Sequence, residues 1–236
     1  VYEELKSNEV QNQIKSNFPK STIHRRNTGY AIDELVKASV FSESAEAFNM
    51  CKLLSGSEGT LAFTTEVTLQ LDELPPSENA IIALHFESIA KCLKAVAMTM
   101  QYNLHTCEML DDTILNLTKH NKAQQENREF IQGDPKAILM CELRSDSENE
   151  LQKQIEMFLS TVKSLQLSYA TAILKGEAVQ KAMDLRKAGL GLLGNMVGDK
   201  KAVACIEDTA VALEDLGDYI SEFSELMKSY GQNPVY

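Results

Sequence analysis

The chain has 236 residues, of which 44% are hydrophobic and 24% are charged, a composition typical of a globular protein with one large or two small domains. Its net charge of −11 disfavours nucleic acid and anionic membrane as partners, because binding phosphates requires clustered lysine and arginine. The odd number of cysteines, without a Cys-x-x-Cys spacing, argues against a zinc site and a disulfide framework and indicates reduced thiols in a cytosolic setting.

The first elements of the chain are predicted to be helices joined by turns. Residues 1–20 are polar and compatible with a helix, which Pro19 ends. The run Asn27-Thr28-Gly29-Tyr30 is typical of a turn, since Asn and Gly both tolerate left-handed backbone. A further helix is expected to begin near Ala31.

A glycine-flanked turn and a strand follow. Gly56-Ser57-Glu58-Gly59 predicts a tight turn or a close approach of the backbone to a ligand, because neither glycine carries a Cβ atom. The run from residue 60 to Leu71 has an apolar side chain at almost every second position, which predicts a β-strand. Pro75-Pro76 is the double proline of the chain and marks the expected domain boundary.

Beyond residue 76 the pattern becomes a regular alternation of strands and helices. Strands are predicted near residues 80–86, 105–110, 137–143, 168–174 and 202–206. Five helices are predicted. The first is capped by Ser88 and runs to Met100, and the second runs from Asp111-Asp112 to about Phe130. The others begin near Ser145, at Glu177 and near Leu213, and the last of them ends near Tyr230. This order predicts an α+β fold of ferredoxin-like units, with a mainly antiparallel sheet and helices on one of its faces.

Two details of these helices bear on packing and on the site. The third helix is the most amphipathic, with Leu151, Ile155, Phe158, Leu159 and Val162 on one face. The helix that begins at Glu177 is expected to give way to a loop at the glycines between 189 and 198.

The four histidines (His24, His85, His105 and His120) lack the spacing of metal ligands, so the sequence identifies no catalytic and no metal-binding residue in the chain.

Several motifs resemble those of a known family. Arg26-Asn27-Thr28-Gly29-Tyr30 is similar to the Lys/Arg-Asn-Thr-Gly-Tyr stretch of FAD-linked 2-hydroxyacid dehydrogenases, and Gly56-Ser57-Glu58-Gly59-Thr60-Leu61 with Thr65-Glu66 resembles their Gly-Ser/Thr-Glu-Gly-Thr-Leu motif. Further landmarks recur as Glu108-Met109-Leu110-Asp111, Leu185-Arg186-Lys187 and Glu207-Asp208-Thr209-Ala210-Val211. The family is that of the vanillyl-alcohol-oxidase-type flavoproteins, in the branch of D-lactate dehydrogenase, the glycolate oxidase flavin subunit and D-2-hydroxyglutarate dehydrogenase.

The resemblance implies a domain division and a function. Residues 1–76 would be the C-terminal part of an FAD-binding domain, and residues 77–236 a substrate or cap domain of the FAD-oxidase C-terminal type. The parent enzyme would oxidise a small D-2-hydroxy acid, similar to lactate or glycolate, by hydride transfer to FAD. The alternative is a non-catalytic α+β binding or assembly module, in which residues 56–59 form a plain turn.

The resemblance also implies site residues. The FAD-binding residues would be Asn27, Gly29, Tyr30, Gly56, Ser57, Glu58, Gly59 and Phe63. Arg186 matches a family arginine that pairs with the substrate carboxylate, a task suited to a guanidinium. The alternative for Arg186 is a salt bridge to a nearby acid such as Asp184 or Glu177.

The sequence departs from the family pattern at single positions and at both ends. Met183 stands at the position of a family tryptophan. Ile206 stands where some relatives carry a lysine, and this difference weakens the case that the chain shares their specificity for hydroxyglutarate. The family's pyrophosphate loop is expected before residue 1, and its Gly-His motif, with the metal ligands and the catalytic base, after residue 236. The chain alone is therefore expected to bind FAD weakly or not at all, and any divalent metal would be bound beyond its C-terminus.

The electron acceptor and the location of the parent enzyme follow from the resemblance only in outline. An iron–sulfur domain, a quinone or a cytochrome chain would accept the electrons. A cytoplasmic enzyme is expected, with the inner face of the membrane as the alternative, because no apolar run reaches the roughly 18 residues of a membrane span.

Overall fold

The computed structural model describes residues 2–25, 29–43, 46–194, 196–199 and 201–236. The chain divides into two compact units. Unit 1 consists of Val1–Asp72 and Ile206–Ala212, and unit 2 of Glu73–Cys205 and Leu213–Tyr236.

Unit 1 is built from short helices around a small core. Its helices are α1 (Tyr2–Leu5), α2 (Asn8–Asn17), α3 (Ile32–Leu35) and α4 (Cys51–Leu54). The buried side chains of Leu5, Ile14 and Val36 form the centre of the core, against which Phe18 and Phe41 pack. The predictions of a helix before Pro19 and of another near Ala31 are confirmed.

The strand predicted for residues 60–71 is wrong. The backbone of residues 61–76 is irregular, and Phe63, Leu69 and Leu71 expose most of their side-chain surface. A segment with alternating apolar residues forms a β-strand only where a neighbouring strand pairs with its backbone N–H and C=O groups. Within the described residues of unit 1, no strand provides that partner.

In unit 2 the described residues form one antiparallel sheet surrounded by helices. The elements in chain order are β1 (Glu78–Phe86), α5 (Ile89–Thr99), β2 (Thr106–Asp111), α6 (Asp112–Lys119), β3 (Ala137–Ser145), α7 (Glu148–Leu165), β4 (Ala170–Lys175), α8 (Glu177–Gly194) and α9 (Leu216–Ser229). The strand order is β2-β3-β1-β4, and every neighbouring pair is antiparallel. The predicted α+β fold with a ferredoxin-like antiparallel sheet is confirmed.

The prediction that helices cover one face of the sheet needs correction. The crossover helices α5 and α7 do share one face, where Leu84, Leu139 and Phe158 are buried together. However, α6 and α8 cover the opposite face, with Met140 and Leu185 in a second core. The central strands β1 and β3 are buried at almost every position rather than at every second one, so both of their faces require cover.

The helix starts follow local capping chemistry. Ser88 Oγ accepts the Lys91 backbone N–H at 3.2 Å, and Asp111 Oδ1 accepts that of Ile114 at 3.1 Å, so both predicted caps are confirmed. The helix that follows Asp111 ends at Lys119, well before the predicted Phe130.

Helix α8 is longer than predicted, because it continues through its glycines to Gly194. A Cβ atom at Gly189 would lie 3.4 Å from two carbon atoms of Ile114, so glycine lets α8 pack closely on α6. The fifth strand predicted for residues 202–206 is wrong. That segment is irregular and exposed, with Val203 77% accessible, and it forms no ladder with the described strands.

The imidazole of His85, in β1, is fully buried and should make stability depend on pH. Its Nε2 accepts the Gln132 backbone N–H at 3.2 Å, as a neutral ring does. Burial lowers the pKa of His85, although nearby backbone carbonyls partly oppose this effect. The unfolded chain therefore takes up a proton below a pH of about 6.5 that the folded chain does not. We expect the free energy of unfolding to fall as the pH drops through this range.

Urea unfolding of the chain at several pH values between 7 and 5 measures this dependence. The contribution of His85 should approach a slope of about 1.4 kcal/mol per pH unit. The substitution His85→Gln keeps an acceptor for Gln132 and should flatten the profile, whereas His120→Gln, at an exposed position, should leave it unchanged. An unchanged slope in His85→Gln would contradict the assignment.

Candidate functional site

The turn at residues 55–60 in unit 1 has the backbone conformation that the glycines predict. Gly56 and Gly59 have φ angles of 83° and 74°, and Glu58 between them has a φ of 51°. These angles lie in the left-handed region, which glycine adopts without strain. Among the described residues, no atom lies within 4 Å of the position that a Cβ atom of Gly59 would occupy, so they leave the backbone of the turn accessible to a ligand there.

The structure brings the second motif next to this turn. The Tyr30 hydroxyl lies 2.6 Å from Thr60 Oγ1, which also donates to the Ser57 carbonyl at 2.6 Å. The Gly29 carbonyl oxygen lies 3.8 Å from the Cβ position at Gly56. Sequence reasoning placed these residues in one site, and the structure places them side by side within unit 1.

The other predicted FAD-binding residues differ in their surroundings. Asn27 lies outside the described residues. Ser57 is buried at the centre of the turn, whereas Phe63 is 91% exposed. Arg25, just before the first motif in the sequence, forms an exposed ion pair with Asp208 of the Glu207-Asp208 landmark within unit 1.

Arg186 lies in unit 2, on α8, and pairs with Glu108 on β2. Its Nε lies 2.7 Å from Glu108 Oε2, and its Nη2 donates to Oε1 at 2.8 Å. The salt bridge considered from the sequence is thus present, but the partner is neither Asp184 nor Glu177. Asp184 accepts a hydrogen bond from Gln180, and Glu177 lies 3.6 Å from Lys181.

The Arg186–Glu108 pair remains accessible to a ligand. The side chains are 45% and 30% exposed, and one of the five N–H donors of the guanidinium, on Nη2, makes the hydrogen bond to Glu108. A carboxylate from solution can therefore approach the remaining donors.

A buried carboxylate, Glu142, lies near this pair and was not identified from the sequence. It projects from β3 on the same face as Glu108 and accepts hydrogen bonds from Asn79, Thr106 and Arg144 at 2.8 to 3.2 Å. With only 4% of its surface exposed, it is stabilised by these three donors. Its sequence signal was a charged residue inside an otherwise apolar strand.

The Asp111 landmark has a structural role in unit 2. Its second carboxylate oxygen accepts the Tyr236 backbone N–H at 3.0 Å, so the residue joins the start of α6 to the last residue of the chain. Burial raises the pKa of Asp111, while the hydrogen bonds from backbone amides oppose that shift.

The described part of the chain contains neither a cluster of metal-binding side chains nor a helix that could span a membrane. Its His, Cys, Asp and Glu side chains form no group of three that could hold a metal ion. Within the same residues, no helix combines the length and the apolar character needed to cross a membrane.

Comparison with known proteins links unit 2 to one family. The model of the family "FAD linked oxidases, C-terminal domain" matches residues 75–236. The D-2-hydroxyglutarate dehydrogenase of Pantoea ananatis is 28% identical over 228 residues, which cover 92% of this chain and 22% of that protein. The D-lactate dehydrogenase of Anaerostipes hadrus is 26% identical over 52% of the chain and 26% of its own length.

A third relative is glycolate oxidase subunit GlcD of Escherichia coli, 28% identical over 57% of the chain and 28% of its own length. The chain thus spans about a fifth to a quarter of the length of the curated relatives it matches.

Proposed function

Because this chain belongs to the FAD-linked oxidases through their C-terminal domain, we propose that it is part of a flavoenzyme that oxidises a small D-2-hydroxy acid. The family match over residues 75–236 is the observation that carries the proposal. The relatives are named for D-2-hydroxyglutarate, D-lactate and glycolate, which share a hydroxyl group next to a carboxylate.

The residues of unit 1 suit a supporting role in cofactor binding. Gly56 and Gly59 leave two backbone positions of the 55–60 turn without a side chain, and Tyr30 holds the neighbouring segment through Thr60. A flavin could contact this backbone directly. We assign Gly29, Tyr30, Gly56, Ser57, Glu58, Gly59 and Phe63, together with Asn27, to FAD binding, and residues 1–76 to the cofactor-binding part of the protein. FAD would supply the redox chemistry by taking up a hydride from the substrate α-carbon.

The residues of unit 2 suit the recognition of the acid. Arg186 is held by Glu108 through one hydrogen bond from Nη2 and an ion pair at Nε, which restricts the orientation of its guanidinium. A substrate carboxylate would bind the donors that Glu108 leaves available. The paired Glu142 and Arg144 nearby would contribute to the shape of this polar patch rather than to the redox step.

For the acid, the electron acceptor and the location of the enzyme, we propose what the family resemblance implies. A lactate-like or glycolate-like substrate agrees with Ile206 at the position where some relatives carry lysine. The electrons would pass to an iron–sulfur domain, a quinone or a cytochrome in a cytoplasmic or membrane-peripheral enzyme.

Reconstitution with FAD tests the proposal. The full protein that contains this chain should show the yellow absorbance of bound flavin, which D-lactate, glycolate or D-2-hydroxyglutarate should bleach in the absence of an acceptor. L-Lactate and L-2-hydroxyglutarate are the matched controls for the two chiral acids and should leave the flavin oxidised. Absence of a flavin spectrum in the full protein would contradict the proposal and favour a non-catalytic α+β binding or assembly module.

A titration of the 236-residue chain with FAD provides a separate expected result. Unit 1 supplies one loop for the flavin, so we expect weak binding or none by fluorescence quenching. Tight binding would show that the chain holds more of the cofactor site than the two motifs indicate.

A further inference from the structure

Three cysteines meet on the face of the sheet that α5 and α7 cover. Cys107 on β2 lies directly opposite Cys141 on β3 in the antiparallel register. Cys92 on α5 is buried in the same core. The other two cysteines, Cys51 and Cys205, are exposed.

The register of β2 and β3 suits a disulfide between Cys107 and Cys141. Directly opposite residues of an antiparallel pair have Cα atoms about 4.5 to 5.5 Å apart. A disulfide requires a Cα separation of about 4.4 to 6.8 Å, a range that contains the separation typical of directly opposite residues. Both side chains point to the same face, because opposite residues in a ladder share their orientation.

Cys107 is the member of this cluster that a reagent can reach. It lines a cavity of about 440 Å³ whose walls come from α5, α9 and β2, including Leu93, Met109 and Ile220. Cys92 and Cys141 are each completely buried. A small molecule that enters the cavity therefore meets the Cys107 sulfur first.

The three thiols also differ in their chemistry. A hydrogen bond from the Cys141 thiol lowers the pKa of Cys107, against the opposing effect of burial. The same hydrogen bond and burial raise the pKa of Cys141, and burial raises that of Cys92 to about 12. The reactive thiolate therefore forms most easily on Cys107, and Cys141 remains a thiol beside it.

We propose that Cys107 and Cys141 form a dithiol site that a small hydroperoxide, entering through the cavity, oxidises to a cross-strand disulfide. The Cys107 thiolate attacks the peroxide, the O–O bond breaks, and Cys107 becomes a sulfenic acid. The leaving oxygen takes up the proton that Cys107 lost on ionisation and departs as water or an alcohol. The Cys141 thiol then attacks the Cys107 sulfur, the S–S bond forms, the S–O bond breaks, and a water leaves. Two electrons pass from the two thiols to one peroxide, and Cys92 takes no part.

The test uses the full 236-residue chain with the exposed thiols removed by Cys51→Ser and Cys205→Ser. Hydrogen peroxide should cause a loss of two hydrogen atoms per chain, and peptide mass spectrometry should locate the bond between Cys107 and Cys141. Cys92→Ala in the same background is the matched control and should form the same disulfide. Reduction with a dithiol should restore the original mass.

Single substitutions separate the two roles. Cys141→Ser should stop the reaction at a Cys107 sulfenic acid that dimedone traps, and Cys107→Ser should slow oxidation of the remaining thiols about tenfold or more. Circular dichroism shows whether each variant is folded. A disulfide that includes Cys92, a disulfide between chains, or equal oxidation of Cys107 and Cys92 in the folded protein would overturn the proposal.

Discussion

In the proposed flavoenzyme, replacing Arg186 with methionine should lower kcat/KM for the 2-hydroxy acid about 100-fold. Removing the charged partner of a hydrogen-bonded carboxylate typically costs several kcal/mol, and about 2.7 kcal/mol corresponds to this factor. Methionine keeps an unbranched side chain on α8, so the packing of the helix should change little. Because the guanidinium would bind the carboxylate in the ground state, most of the loss should appear in KM. Steady-state kinetics with an artificial electron acceptor measures the split.

A matched control is available at the next residue. Lys187 is exposed on the same helix, so Lys187→Met removes one positive charge without touching the Arg186–Glu108 pair and should alter kcat/KM less than about threefold. The flavin absorbance of each variant shows whether the cofactor site remains intact.

The substitution Glu108→Gln distinguishes the two roles of Arg186. If Arg186 only stabilises the fold through Glu108, then removing either partner should have the same effect on stability and activity. If Arg186 binds the substrate carboxylate, Glu108→Gln should leave the positive charge available and lower kcat/KM much less than Arg186→Met does. Equal losses in the two variants would contradict a substrate role for Arg186.

The strands and helix starts of unit 2 could be predicted because their signals are local. Apolar runs such as residues 80–86 and 137–143 indicate strands, and the side chains of Ser88 and Asp111 cap helices within three residues of themselves. The packing of helices on both faces of the sheet also has a local signal in the sequence, in the apolar runs of β1 and β3. Uninterrupted apolar runs, unlike alternating ones, indicate a strand that is buried on two sides.

The features that sequence reasoning missed depend on partners distant in the chain. Residues 60–71 carry a clear alternation, yet a strand also requires a neighbouring strand, which alternation cannot reveal. The salt-bridge partner of Arg186, Glu108, lies 78 residues away in the chain. The sequence indicated only the acids on the same helix, Asp184 and Glu177, as partners. The pairing of Cys107 with Cys141 likewise depends on the register of β2 against β3.

Removing the Phe158 ring by Phe158→Ala should destabilise unit 2 by about 3 to 5 kcal/mol, as is typical of buried phenylalanine residues. Phe158 is completely buried on the apolar face of α7, as the sequence predicted. Its ring lies 5.2 Å from that of Tyr102 in a T-shaped arrangement, and the Tyr102 hydroxyl lies 2.5 Å from Thr161 Oγ1 on the same helix. The substitution therefore creates a cavity and also frees Tyr102 from its aromatic contact.

Urea unfolding of the 236-residue chain measures this loss as a lower midpoint with an unchanged slope. Small domains are stable by only about 5 to 15 kcal/mol, so the variant should lose a large share of its stability. Met157 precedes Phe158 on α7 and is 60% exposed, so Met157→Ala is the matched control and should change stability by no more than about 0.5 kcal/mol. A loss below about 1 kcal/mol in Phe158→Ala would show that α7 does not anchor this core, since a fully buried ring between a helix and a sheet cannot be removed at so small a cost.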